Sequence, residues 1–62
     1  MAEPVMTYAD LYQILVEAEY RRDDETIPDP VRFRSGMTVE LCKERMRREG
    51  LTREQLRLLA GF

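Results

Sequence analysis

The chain has 62 residues and is predicted to form one small domain, residues 1–62, of a size that usually needs a partner chain, a metal or disulfides for stability. Its only cysteine, Cys42, excludes an internal disulfide, and the absence of histidine removes the usual zinc ligand and the usual general base near neutral pH. The formal net charge of −2 combines an acidic half, residues 1–30, with a basic half, residues 31–62. This division indicates either a nucleic-acid face on the basic half or attraction between the two halves.

The composition also limits the class of function. No apolar run is long enough to span a membrane, and the N-terminus lacks the pattern of a secretory signal, so a cytoplasmic protein without membrane contact is expected. Ser35 is the only serine and has no evident base partner, and Cys42 falls on the inner face of a predicted helix. We therefore predict a non-enzymatic protein with no catalytic residues, no metal site, no cofactor and no small-molecule substrate.

The first predicted element is a helix over about residues 8–23, after a loose lead-in at 1–6. Thr7 is a favourable N-cap, and Asp10 lies three residues later, where a capping-box acid is expected. The apolar residues of this helix spread over a wide arc, which predicts either a position between two other elements or contact with a second copy. We favour the second copy, in a homodimer, with an interface formed by Leu11, Ile14, Leu15 and Val16.

A connecting loop is predicted at residues 24–37, because Pro28 and Pro30 oppose a continuous helix. Within it, residues 31–34 alternate apolar and basic side chains, a pattern that indicates a short strand. The alternative is an extended linker whose Val31 and Phe33 are held in the core. Ser35 and Gly36 are predicted to end this segment.

Two further helices are predicted, over about residues 38–49 and 53–60, which makes the chain an all-α, three-helix domain. The spacing of Val39, Cys42 and Met46 predicts the buried face of the second helix. Gly50 is placed to end that helix in the left-handed conformation. Thr52 with Gln55 predicts a capping box at the start of the third helix, which is expected to bury Leu56 and Leu59.

Arginines are concentrated in this basic half and are the candidate nucleic-acid contacts, because guanidinium groups bind phosphate. The candidate residues are Arg32, Arg34, Arg47, Arg48, Arg53 and Arg57. Helical arginines are also ordinary solvent-facing residues that cover apolar surface with their stems. The sequence leaves both interpretations open.

The C-terminal third carries a family-like pattern: Leu41, Arg45, Gly50-Leu51-Thr52, Glu54, Leu56 and Ala60-Gly61-Phe62. With these residues, 41–62 resembles the first two helices of the Cro/repressor-type (XRE) helix-turn-helix family. The sequence departs from the family pattern at Arg53, where Gln is expected, and at Arg57, where Ala is expected. The family's recognition helix would follow Phe62, so the resemblance implies the family's packing and not its base readout.

Residues 31–62 more weakly resemble a ribbon-helix-helix protomer, with a short strand, a helix, a Gly-Leu-Thr-Arg turn and a second helix. That resemblance implies an obligate dimer in which strands of two chains pair. Arg32 and Arg34 would then face the bases.

Two function hypotheses follow from the sequence. The first is a small DNA-associated transcription regulator with a helix-turn-helix-like C-terminal hairpin. The alternative is a protein–protein interaction module that modulates a larger regulator, or another partner, without binding DNA itself.

Overall fold

The computed structural model describes residues 6–62, and its regular elements are three helices: α1 (Tyr8–Asp23), α2 (Asp29–Glu49) and α3 (Arg53–Ala60). The predicted all-α class and three-helix count are confirmed for this part of the chain. Most of the predicted lead-in at 1–6 lies outside the described residues. Over 6–62, no helix is both long enough and apolar enough to cross a membrane.

Helix α1 begins and ends where the sequence predicts. The Thr7 hydroxyl accepts a hydrogen bond from the backbone N–H of Asp10 at 3.1 Å, which satisfies one of the free donors at the helix start. After the helix, the Asp24 carboxylate accepts bonds from the backbone N–H of Thr26 at 2.9 Å and from its hydroxyl at 2.6 Å. These two bonds hold the turn that leads into α2 and keep the pKa of Asp24 below its usual range.

Helix α2 starts at Asp29, so the predicted loop over 24–37 and the predicted strand over 31–34 are wrong. Pro28 is the N-cap, and Pro30 falls in the first turn, where a backbone N–H would have no helical partner in any case. The acidic side chain of Asp29 in that turn also suits the positive end of the helix dipole. The two prolines therefore start this helix, although in the sequence they read as breakers.

The inner face of α2 explains why the helix continues through Ser35 and Gly36. Ser35 is buried one turn before Val39 and extends the predicted stripe of Val39, Cys42 and Met46. Thr38, at the predicted start of the second helix, lies inside α2 and does not cap it; its hydroxyl donates to the Arg34 carbonyl at 3.1 Å. The alternative of an extended linker is also wrong, because the side chains of Val31 and Phe33 are exposed.

The turn between α2 and α3 forms as predicted. Gly50 has φ 67° and ψ 31°, and the N–H of Leu51 donates to the Met46 carbonyl at 2.8 Å, which closes the end of α2. Thr52 and Gln55 form both bonds of the capping box, at 2.8 and 3.1 Å. The hydrogen bonds that close α2 and those of the capping box together fix the direction of α3 relative to α2.

Helix α1 lies between the other two helices and packs on both, whereas α2 and α3 touch each other little. The core consists of Leu11, Leu15, Ala18, Val39, Cys42, Met46 and Leu56. The predicted burial of Leu56 is confirmed, but that of Leu59 is wrong because its side chain points to solvent. The wide apolar arc of α1 is thus explained within one chain.

Candidate interaction surface

The six candidate arginines do not form one cluster, and three of them contact groups of the same chain. Arg53 forms an ion pair with Glu19, which joins α3 to α1. Arg57 bonds with Glu54 on its own helix and donates to the Phe62 carbonyl at 2.7 Å. Arg32 donates from Nε to the Arg22 carbonyl at 3.1 Å. Each of these guanidinium groups therefore already has a partner within its own chain.

The other three candidates, Arg34, Arg47 and Arg48, are exposed and form no ion pair among residues 6–62. Arg47 and Arg48 lie in the last turn of α2, where positive charge suits the negative end of the helix dipole. Arg34 lies between three and four turns before Arg47, about 140° around the helix from it. The free arginines therefore do not converge on one small patch.

The predicted partner face of α1 is corrected for two of its four residues. Leu11 and Leu15 are each only 1% exposed, because they face the core that α1 forms with α2 and α3. Ile14 is 36% exposed and lines a shallow groove with Val31 of α2, while Val16 is half-buried. This face leaves little apolar surface for a partner.

Within residues 6–62, the outer face of α2 carries a row of three exposed, large apolar side chains. Phe33, Met37 and Leu41 are 71%, 53% and 67% exposed, and their spacing of four residues places them on one side of the helix. We call these three residues the outer row. They point away from the buried stripe on the opposite side of α2. The sequence analysis does not identify the outer row, because it predicts a strand and a loop over 31–36, although the four-residue spacing is visible there.

An open groove of about 720 Å³ runs along the outer row, with charged side chains of both signs around it. The charged lining residues are Arg22, Arg32, Arg47, Glu40 and Glu44. The floor includes Gly36, and a Cβ added there would lie 3.7 Å from Cδ of Arg22, so the Arg22 stem passes over the α2 backbone. The surface thus combines an apolar centre with a mixed-charge margin.

A cluster of polar side chains joins the start of α1 to the end of α2. Tyr8 donates to Glu49 Oε1 at 2.6 Å, and Arg45 Nε donates to Glu49 Oε2 at 2.7 Å. The Arg45 guanidinium carbon also lies 5.6 Å from the centre of the Tyr8 ring. The hydrogen bonds from Tyr8 and Arg45 lower the pKa of Glu49, and the bond to Glu49 raises the pKa of Tyr8.

The side chains that could act as a nucleophile or bind a metal ion are either buried or dispersed. Burial raises the pKa of the Cys42 thiol, so its reactive thiolate form is disfavoured at neutral pH. Within residues 6–62, histidine, cysteine, aspartate and glutamate side chains form no group of three that could hold a metal ion. The groove along the outer row therefore remains the most distinctive surface of the described residues.

Comparison of the chain with models of protein families, with curated proteins and with solved structures finds no match. The resemblance of residues 41–62 to the Cro/repressor-type family remains a prediction. The ribbon-helix-helix resemblance also remains a prediction. The strand on which it depends does not form, because residues 31–34 belong to the first turns of α2.

Proposed function

We propose that this protein is a small, non-enzymatic protein–protein interaction module that acts through the outer row of α2 and modulates a regulator or another partner. The observation that carries the proposal is the row of three large apolar side chains, each more than half exposed on one helix face. Contiguous apolar surface with a polar margin is typical of interaction sites. A buried free thiol is compatible with a reducing, cytoplasmic setting for this activity.

The composition of the surface supports the same proposal. Phenylalanine, methionine and arginine are enriched in protein interfaces, and the charged residues of an interface concentrate at its margin. Here Phe33 and Met37 lie in the centre, and Arg32, Glu40 and Arg47 lie at the edge. The acidic Glu40 and Glu44 on this face disfavour a phosphate backbone as the occupant.

Photocrosslinking in cells that produce this protein tests the proposal. A photoreactive amino acid in place of Leu41 should give a discrete protein adduct, and adding Met37→Glu to the same chain should abolish it. The control carries the photoreactive group in place of Leu58, which is 62% exposed on α3 and lies outside the outer row. The proposal is wrong if position 41 gives no adduct, or gives one that Met37→Glu does not affect.

A DNA-associated regulator is the second candidate, and it is favoured by the exposed, unpaired guanidinium groups of Arg34, Arg47 and Arg48 in the described residues. If these residues contact phosphates, duplex DNA binding should weaken steeply with salt, with a slope of about −0.9 per contact. Arg47→Ala and Arg48→Ala should each reduce that slope by about one, whereas Arg57→Ala, whose guanidinium is held by Glu54, should not. Absence of binding at low salt would exclude this candidate.

A further inference from the structure

We infer that Met37 is an oxidation site that switches the outer row off, with a peroxide as the oxidant and methionine sulfoxide as the product. The inference rests on the proposed function, because the switch acts on the surface that binds the partner. Met37 is more than half exposed, lies at the centre of the outer row between Phe33 and Leu41, and lines the open groove. A small oxidant in solution can therefore reach its side chain.

The reaction needs only the Met37 thioether and the peroxide. A lone pair of the sulfur attacks one oxygen of hydrogen peroxide, so that an S–O bond forms and the O–O bond breaks. The departing hydroxide takes up the proton of the transferred oxygen and becomes water. The sulfur is thus oxidised by two electrons and the peroxide is reduced. The product is polar, and methionine sulfoxide reductases return it to methionine, so the change is reversible.

The position of Met37 determines what its oxidation changes. The sulfoxide places a polar group at the centre of an apolar row, where a docked partner would bury it. Burial of a polar group without a hydrogen-bond partner opposes binding. Met37 lies on the side of α2 opposite the buried stripe, so its oxidation leaves the core packing in place. The expected product is a folded protein whose outer row no longer binds.

The other sulfur atoms of residues 6–62 are shielded or lie outside the groove. Met46 and Cys42 belong to the buried core. Burial also raises the pKa of the Cys42 thiol, which disfavours the thiolate that reacts with peroxide. Met6 is exposed, but it precedes α1 and does not line the groove. Met37 is therefore the accessible sulfur of the outer row.

Oxidation of the isolated protein tests this selectivity. The folded chain is treated with hydrogen peroxide, and peptide mapping by mass spectrometry follows the methionines and Cys42 over time. Met37 should form its sulfoxide at least about ten-fold faster than Met46, because susceptibility follows exposure. In urea the two rates should become equal, since the fold no longer shields Met46. A folded-state rate for Met37 as low as that of Met46 overturns the inference.

The effect on the partner is tested with the photoreactive amino acid at position 41. Cells that produce this chain are exposed briefly to hydrogen peroxide and then irradiated. The yield of the adduct should fall in proportion to the fraction of Met37 converted to sulfoxide in the same cells. It should recover after the peroxide is removed, as reductases restore the thioether.

Three variants assign the effect to one side chain. In Met37→Leu, which keeps the chain's other methionines, the adduct should be the same with and without peroxide. Met6→Leu removes an exposed methionine outside the groove and should remain sensitive to peroxide. Met37→Gln, which is polar and of similar length, should lower the adduct without peroxide. Far-UV circular dichroism checks that the variants and the oxidised chain remain folded. An equal loss of adduct from Met37→Leu on oxidation overturns the inference.

The outcomes separate this inference from the proposed function. If position 41 gives an adduct that Met37→Glu abolishes but oxidation of Met37 does not lower, the interaction module stands and the switch is wrong. If peroxide lowers the adduct of the chain that has Met37 but not that of Met37→Leu, both proposals are supported. No adduct from position 41 in untreated cells overturns the proposed function and the switch with it.

Discussion

At the scale of single residues, Gly50 determines how α2 ends. Its φ of 67° lies in the left-handed region, where a Cβ is unfavourable, yet nothing lies within 4 Å of the place a Cβ would occupy. Gly50→Ala should therefore lower the free energy of unfolding by about 1–2 kcal/mol through backbone strain alone. Urea denaturation followed by circular dichroism measures this change.

The matched control at this position is Gly50→Asn, because asparagine tolerates the left-handed conformation better than alanine. It should lose clearly less stability than Gly50→Ala. Equal losses in the two variants would mean that the left-handed backbone is not the cause.

At the scale of elements, the local signals around Gly50 were sufficient to predict the turn and α3, because the cap, the left-handed glycine and the capping box are all sequence-local. The start of α2 was not predicted, because Pro28 and Pro30 have opposite meanings at a helix start and in a helix interior. In the folded chain, Ser35 is buried one turn before Val39, so the buried face of α2 starts earlier than the predicted start of the second helix. The outer row can be predicted only if α2 begins before Phe33, so the sequence analysis does not predict it either.

Gly36 provides a direct test of where α2 begins. In an exposed helix interior, glycine is less favourable than alanine by about 0.5–1 kcal/mol. A Cβ at Gly36 would meet only the Arg22 stem, at 3.7 and 3.9 Å, which is ordinary contact. Gly36→Ala should therefore raise the free energy of unfolding by about 0.5–1 kcal/mol, measured by urea denaturation.

The opposite sign would contradict the observed helix. If residues 31–36 were a strand ending in a glycine turn, alanine at this position would destabilise the protein or leave its stability unchanged. Gly50→Ala serves as the internal comparison, since the same substitution should there be destabilising.

At the scale of the whole molecule, α1 is the central helix, and this was the property hardest to read from its sequence. Its wide apolar arc fits a helix between two others as well as a helix at a dimer interface, and only the packing distinguishes them. Leu15 is 1% exposed in the core, whereas the neighbouring Ile14 is 36% exposed. Leu15→Ala should cost about 2–5 kcal/mol, and Ile14→Ala should cost clearly less.

Measuring both variants over a series of protein concentrations separates the two explanations. If α1 packed on a second copy, the loss for Leu15→Ala would shrink as the protein is diluted. A concentration-independent loss is expected, because Leu15 contacts only its own chain.

The contact between Tyr8, Arg45 and Glu49 links the first turn of α1 to the last turn of α2, and it makes the stability of the whole molecule depend on pH. Hydrogen bonds from Tyr8 and Arg45 lower the pKa of Glu49 in the folded state. A lowered folded pKa contributes stability above the unfolded pKa, and this contribution is lost as the pH falls through the folded value. Asp23, Asp24 and Glu54 have pKa values shifted in the same direction.

We therefore expect the free energy of unfolding to fall between about pH 5 and pH 2. Glu49→Gln should reduce stability at pH 7 and flatten the decline, because the group that gains a proton is gone. Tyr8→Phe removes one of the two bonds that lower the Glu49 pKa in the folded state, so its decline should be smaller and should end at a higher pH than that of the unaltered chain. Urea denaturation at several pH values measures all three profiles. If Glu49→Gln kept the full acid dependence, the loss would have to arise from the other carboxylates, and the link between α1 and α2 would contribute little.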